Sequence, residues 1–245
     1  MITPDAWSFH IATSYAGGPE ASAAAAAAAP REPIQLPEPA PLSLSLDAAL
    51  AQRASCRRFV PDPLEPATLA ALLRAAYGTQ PEVDFEGTRF QPRPVPSAGA
   101  AYPLEIHVLA QAVTGIDRGS YRYDSESHGL VPTGPGPVQP SIEELFLDQP
   151  YIAPAAAVVV LAAALMRTMP RYGDRGYRYV LFEAGHAAQN IVLAAAALQI
   201  GSLALGGFLD DVVSATLRLQ PEVVPLYGIA IGPAATLDRD ELRKP

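Results

Sequence analysis

Three of the chain's 17 Lys and Arg residues fall within six positions, in Arg53-Ala54-Ser55-Cys56-Arg57-Arg58-Phe59. Arginine offers planar, paired donors that suit a phosphate, and a serine hydroxyl adds another. Arg53 falls in the last turn of an expected helix, where the macrodipole repels anions, so side chains alone would have to hold one. On composition the cluster reads more simply as a solvated basic helix end. A second segment, Pro96-Ser97-Ala98-Gly99-Ala100-Ala101-Tyr102-Pro103, brackets small residues between prolines. Such a loop is rigid and lets backbone approach a flat ligand closely, although an ordinary connection has the same composition. No Gly-x-Ser-x-Gly surrounds Ser97, which argues against a hydrolase nucleophile.

Tyr179, Glu183, His186 and Asn190 stand at i, i+4, i+7 and i+11, a polar stripe on an otherwise apolar rod. Stripes of this kind more often hydrogen-bond a neighbouring helix than carry out catalysis. Gly206-Gly207-Phe208 follows an apolar run, and paired glycines there allow a backbone N–H to reach a ring system. Arg171-Tyr172-Gly173-Asp174-Arg175-Gly176-Tyr177 reads as a loop carrying basic and phenolic groups, either an exposed connector or a wall of a pocket. The four histidines are scattered with no metal-ligand spacing.

The elements that must position these groups follow from periodicity and capping. Helices are expected over about 46–53, with Ser45 as N-cap, and from Pro66 to Gly78, where Leu69, Leu72, Leu73 and Ala76 keep a 3.6-residue period. Strands are expected over 105–111, 155–162, 203–205 and 226–231, with a hairpin pairing 121–124 and 130–131. Helices over 177–199 and 210–219 complete the set. The order has no regular βαβ repeat, no Gly-x-Gly-x-x-Gly and no Walker A motif, which predicts an α+β fold. Residues 1–45 read as an N-terminal segment whose alanine run, Ala23 to Ala29, and prolines Pro30, Pro33, Pro37, Pro39 and Pro41 make a linker or a surface strap. Residues 46–245 read as one domain.

A net charge of −8 argues against nucleic acid and anionic membranes as partners. Cys56 is the single cysteine, so no internal disulfide forms. The start lacks a basic signal-like region, and neither 152–166 nor the run after Asn190 spans a bilayer convincingly, so a cytoplasmic location is expected.

Taken in order, these segments resemble the SagB-type branch of the nitroreductase family, dehydrogenases that oxidise azoline rings in peptides. Phe9-His10-Ile11-Ala12-Thr13 is similar to a histidine–threonine element at the start of such proteins. Residues 53–59 look like an Arg-x-Ser-x-Arg-x-Phe cofactor motif, and 96–103 like its Pro-Ser-Ala-Gly-Ala-x-Tyr-Pro loop. Tyr177 to Asn190, Gly206-Gly207-Phe208 and Pro225-Leu226-Tyr227 complete the series. The resemblance implies a nitroreductase-like α+β fold with a central mixed sheet, an intertwined homodimer and FMN at the subunit interface. By the same resemblance Arg53, Ala54 and Ser55 hold the phosphate and ribityl end, and Arg57 sits at the N1/O2 edge of the ring. Pro96, Ser97, Ala98 and Gly99 line the ring, Gln189 adds a contact, and Leu205, Gly206 and Gly207 present backbone toward N5.

Two departures stand out. Many azoline oxidases carry a lysine–tyrosine pair before the long helix, where this chain has Arg171-Tyr172; a guanidinium is a poor general base, which leaves proton transfer to Tyr172 and makes Arg171 a fixed charge. A glycine–arginine–proline near the last strand is here Gly232-Pro233-Ala234. The expected activity is FMN-dependent oxidation of a peptide-derived heterocycle, azoline to azole, or of a related small biosynthetic intermediate, with a heterocycle-forming enzyme as a further partner. The alternatives are an NAD(P)H-dependent nitro or quinone reductase, and a flavin-free partner protein of a peptide-modifying complex.

Overall fold

Eight consecutive apolar residues, Ala157 to Ala164, form a strand buried on both faces, and the domain is layered on it. The computed structural model describes residues 5–16, 32–134 and 140–235. The alanine run of the expected linker lies outside them. Numbered in chain order, the helices are α1 (Ala6–Thr13), α2 (Leu46–Gln52), α3 (Pro66–Tyr77), α4 (Ile142–Leu145), α5 (Met169–Tyr172), α6 (Arg175–Ala197) and α7 (Asp210–Leu217). The strands are β1 (Ile34–Gln35), β2 (Val83–Phe85), β3 (Thr88–Phe90), β4 (Leu104–Ala110), β5 (Gly119–Asp124), β6 (Gly129–Pro132), β7 (Ala157–Ala164), β8 (Gly201–Leu205) and β9 (Val223–Gly232).

Seven strands make one sheet in the order β1-β6-β5-β4-β7-β9-β8, while β2 and β3 form a separate hairpin. The six ladders of the large sheet are antiparallel. A parallel bridge of Ser55 with Ser202 borders β8 and makes the sheet mixed at that edge, as expected. One face packs on α3 and α6 through Leu69, Leu73, Val180, Ala184 and Ile191. The other carries Phe146, Phe208 and Val213, with Leu109, Val158 and Val160 beneath them. Because helices cover both faces, β7 shows no polar alternation. Pro225 is accommodated by a bulge, where Leu161 pairs with Tyr227 and Ala162 with Pro225, leaving Leu226 over.

Besides the short α4 and β1, three further features differ from the expectation. Helix α1, capped by Asp5 accepting from Ser8 N–H at 2.7 Å, stands in the N-terminal segment, ahead of the expected linker, where no helix was expected. Its hydrophobic residues do not follow one face, and Trp7, Phe9 and Ile11 stay exposed, so periodicity gave no signal. The β2–β3 hairpin turns at Glu86-Gly87, both left-handed, and its strands are too short to read from the sequence. Arg171 and Tyr172, expected in a loop, belong to α5, which Pro170 starts and left-handed Gly173 ends. The 33–41 stretch does act as a strap: β1 pairs with β6, and Ala40 N–H donates to Ala67 at 2.9 Å. Among the described residues one helix, α6, is long and apolar enough to cross a bilayer, and it is the core helix of the domain.

His107 on β4 is buried with no hydrogen bond to either ring nitrogen, and Glu105 Oε2 lies 3.8 Å from Nε2. Burial holds its pKa below the ordinary 6.5, against an opposing pull from Glu105 and with a further push from Arg122. The unfolded chain then binds this proton more readily than the folded one, so stability is complete above the ordinary value and is lost as pH falls below it. His10 and His128 act in the same direction. Urea midpoints for the wild type are expected to fall between about pH 7 and about pH 5, and His107→Leu to fall less. Parallel falls would clear His107 of the effect.

Candidate functional site

Register places the expected site residues at two ends of the sheet and between them. Leu104 opens β4 opposite Ala163, and the same end of the sheet holds the exit of β7 and the entry of β9, while β8 exits at Leu205 opposite Gly228, midway along β9. The 96–102 loop and α5 therefore project from that end, and Gly206-Gly207 leave the sheet between the two ends. Ser55 lies against Ser202 at the start of β8, and Val60 N–H donates to Pro233 at 3.0 Å, both at the opposite end. The levels of Ser202 and Leu104 differ by seven residues along β9, roughly 23 Å at the rise of a β-strand.

At the first end the loop is tightly folded. Ala98–Ala100 make a short 3-10 turn, and Gly99, Ala100 and Tyr102 all have left-handed backbone, φ 61°, 52° and 42°. A Cβ on Gly99 would stand 2.7 Å from both Arg171 Nη1 and Tyr172 Oη, so a side chain there would displace both tips, and the positive φ itself favours glycine. Arg171 also lies over the Tyr172 ring, 5.4 Å from its centroid, and Tyr172 meets Tyr179 of α6 edge-on at 5.3 Å. Arg167 ties the turn after β7 to the loop, donating to Tyr102 O at 3.3 Å and pairing with Glu105 at 3.1 Å.

Behind the loop the polar stripe of α6 divides. Glu183 is 2% exposed and accepts from Tyr77 Oη at 2.6 Å. Asn190 donates to Ala75 O on α3 at 3.0 Å, His186 faces solvent, and Tyr179 turns to Tyr172. Burial raises the Glu183 pKa, partly offset by hydrogen bonds from Ser97 and Tyr77 and by the charges of Arg93 and His186. Arg93 stacks 4.6 Å over Tyr77 and donates to Tyr77 O and to Ser125 Oγ. Tyr77 and Arg93 carried no motif that would have singled them out.

Gly206 is exposed, and a Cβ there would meet nothing within 4 Å; Gly207 faces Leu147 at 2.9 Å from its own hypothetical Cβ. This is open backbone at a strand end, as a planar ligand needs. At the opposite end Arg53 caps α2, Arg57 is exposed, and no ion pair ties either among the described residues. Ala54 and Ser55 are half-buried beside them, while Cys56 is buried against Gly201, its thiol pushed up by burial. Gln189 is exposed on the outer face of α6, with Phe182 and Gly185 on the same side. The Gly232-Pro233-Ala234 backbone pairs with residues 58–60, whatever side chain stands at Pro233. Unpaired cations, an available hydroxyl, a glycine-lined loop and an open strand end fit a flavin mononucleotide. One chain holds them apart, however. A cavity of about 210 Å³ between the diverging ends of β4 and β5 is lined by Arg93, Glu105 and Arg122 and contains none of the expected cofactor residues.

The chain is 38% identical over 199 residues to the Methanocaldococcus jannaschii protein MJ1384, assigned by name to the nitroreductases, across 81% of this chain and 95% of that one. It is 30% identical over 145 residues to the microcin B17-processing protein McbC of Escherichia coli, across 55% of this chain and 52% of McbC. Its fold matches a chain of the E. coli microcin synthetase McbBCD complex with truncated pro-MccB17 bound, with a TM-score of 0.69 at 24% identity, covering 93% of this chain and 91% of that one. Residues 50–233, well over half of the sequence, match the family model described as nitroreductase family, and the chain belongs to that family.

Proposed function

We propose that this chain is an FMN-dependent oxidoreductase that takes electrons from NAD(P)H and passes them to a nitro compound or a quinone. The observation that carries this reading is the Arg171–Tyr172 pair packed on Gly99. It puts a permanent cation, not a strong base, beside the loop assigned to the ring. Oxidising a dihydronicotinamide requires no base to remove a carbon-bound proton, whereas oxidising an azoline does. The nitroreductase name of MJ1384, matched over almost its whole length, supports the same choice.

FMN, when bound, supplies the two-electron chemistry. The chain's own residues hold and orient it. Arg53 and Ser55, with Ala54 between them, serve the phosphate and ribityl end. Arg57 offers a cation where negative charge grows on reduction. Pro96, Ser97, Ala98 and Gly99 form a wall, and Leu205, Gly206 and Gly207 offer backbone donors at an edge. Gln189 is assigned to the same site. Since the cations and the wall stand at opposite ends of the sheet, we infer a homodimer in which one copy supplies the cations and the other the wall. The exposed Leu181 and Phe182 on α6 give such a pair of copies an apolar face to bury.

The second reading, an azoline dehydrogenase, is favoured by the Tyr172 hydroxyl at the loop and by the similarity to McbC. A single anaerobic experiment separates the two. Purified protein should be yellow and release FMN, and NADPH should bleach it within seconds. Slow bleaching by NADPH with rapid bleaching by a thiazoline peptide would move the conclusion to the second reading. Colourless protein that takes up no added FMN would overturn both.

Two further outcomes are expected. If Tyr172 serves as the proton acceptor of the second reading, Tyr172→Phe slows azoline-driven bleaching roughly 10²-fold and leaves NADPH-driven bleaching alone. Equal rates for wild type and variant remove Tyr172 from that chemistry. Sedimentation at micromolar concentration should give a dimer; a monomer that still holds FMN tightly would rule out the shared site.

A further inference from the structure

Arg93 stands where three segments of the chain meet. Its Nη1 donates to Tyr77 O at the C-terminal end of α3, at 2.7 Å, and to Ser125 Oγ in the β5–β6 turn, at 2.6 Å. A cation there also faces the negative end of the α3 macrodipole. The guanidinium carbon lies 4.6 Å from the centroid of the Tyr77 ring and 5.6 Å from that of Tyr102, both within cation–π reach. The two rings meet edge-on at 6.2 Å, so the cation and the rings make one three-way contact. No ion pair ties Arg93 among the described residues, and its Nε is buried without an acceptor. The ring faces therefore stand in for a counter-ion.

We propose that Arg93 is a positioning residue for the 96–102 loop: its planar cation, tied to α3 and to the β5–β6 turn, holds the Tyr102 ring and with it the left-handed end of the loop. The functional consequence rests on the reading of this loop as a wall of the flavin site. Tyr102 has φ 42° and Ala100 φ 52°, conformations that non-glycine residues keep only where the surroundings over-determine them. Ser97 Oγ and Arg167 hold the amide and carbonyl of Tyr102. Those bonds fix peptide planes and leave the side chain free. Relaxation of Tyr102 to negative φ would swing its Cβ and carry the ring off Arg93 and Tyr77, so the three-way contact opposes that relaxation.

Arginine and lysine separate the loop from the rest of the fold. A lysine ammonium can supply the charge and the donors at the end of α3, but it has no flat face to lay against two rings. Methionine keeps the apolar stem and loses charge, donors and face together.

The test compares Arg93→Met, Arg93→Lys and Tyr102→Leu in the full chain, by hydrogen exchange without cofactor, urea unfolding and flavin reduction. Arg93→Met should quicken exchange across 97–102 about tenfold relative to β7, and lower the urea midpoint because Tyr77 O loses its donor. Arg93→Lys should quicken the same segment by less and keep the midpoint near that of the wild type. Tyr102→Leu leaves both side-chain hydrogen bonds of Arg93 in place; it should quicken the segment too, with no further gain when Arg93→Met is added. Should Arg93→Met not fold, the same cycle runs with Arg93→Lys. In FMN-loaded protein, Arg93→Met should keep the cofactor, shift its visible spectrum and slow its reduction by NADPH about tenfold, with Arg93→Lys in between. Unchanged exchange in 97–102 for the Arg93 variants overturns the positioning role, and so does full additivity with Tyr102→Leu. Quickened exchange with an unaltered spectrum and rate supports the positioning role and overturns the assignment of the loop as a flavin wall. Exchange is read without cofactor, so it decides the role of Arg93 even if the wild type binds no flavin.

Discussion

Strand β7 has helices over both faces, and that double covering dictates where polar chemistry can stand. None of its eight residues reaches solvent appreciably, so no polar side chain from its middle can serve a ligand. Its neighbours obey the same limit. Gly228 on β9 would put a Cβ 2.5 Å from the Phe146 ring, and Gly232 would put one 2.8 Å from Ala156 N. The layers are so close that small residues are obligatory there. Donors, cations and open backbone are left to the strand ends, where Gly206, the 96–102 loop, α5 and the 53–57 segment are found.

That arrangement has a cost for a single copy. Groups whose levels differ by seven residues along β9 do not converge on one flat ligand within a single copy. The outer surface carries the complementary signature. Trp7, Phe9 and Ile11 on α1, Leu46 and Leu50 on α2, and Leu181 and Phe182 on α6 are all exposed. Helix α1 is held by specific contacts, with His10 Nδ1 3.1 Å from the Tyr177 hydroxyl and Tyr15 N–H donating to Asp210 at 2.9 Å. It is a docked element that presents apolar residues outward.

Most of the architecture was legible in the sequence, for physical reasons that differ by element. Helix α3 announces itself by Pro66, a clean apolar period and Gly78, all local signals. Helix α6 and strand β7 are long enough for periodicity, or its absence, to speak. The expected α6 is two residues late at each end, because Arg175 and Gly176 belong to its first turn and carry no apolar signal. Helix α1 and helix α5 were illegible for a common reason: both are short and owe their place to partners far along the chain, Tyr177 and Asp210 for α1 and Gly99 for α5. The site divides in the same way. The arginine cluster and the glycines are visible as residue types. The Tyr77–Glu183 hydrogen bond is a product of α3 packing on α6, and no spacing in the sequence encodes it.

The loop at 96–102 shows how these levels meet. Two non-glycine residues in left-handed conformation cost about 1 kcal/mol each or more, and an isolated peptide would relax them. Here Tyr102 is fixed from several directions: its amide by Ser97, its carbonyl by Arg167, and its ring by edge contact with Tyr77 at 6.2 Å. Net gains of roughly 0.5–1.5 kcal/mol per hydrogen bond are enough to offset that strain. They do so only while α3, α6 and the turn after β7 are all in place. The strained loop is therefore a consequence of the assembled core, and the chemistry it can support depends on the side chain that the core presses against it. At Gly99 that side chain is a guanidinium. Its charge is fixed, so this position presents a permanent cation and no general base.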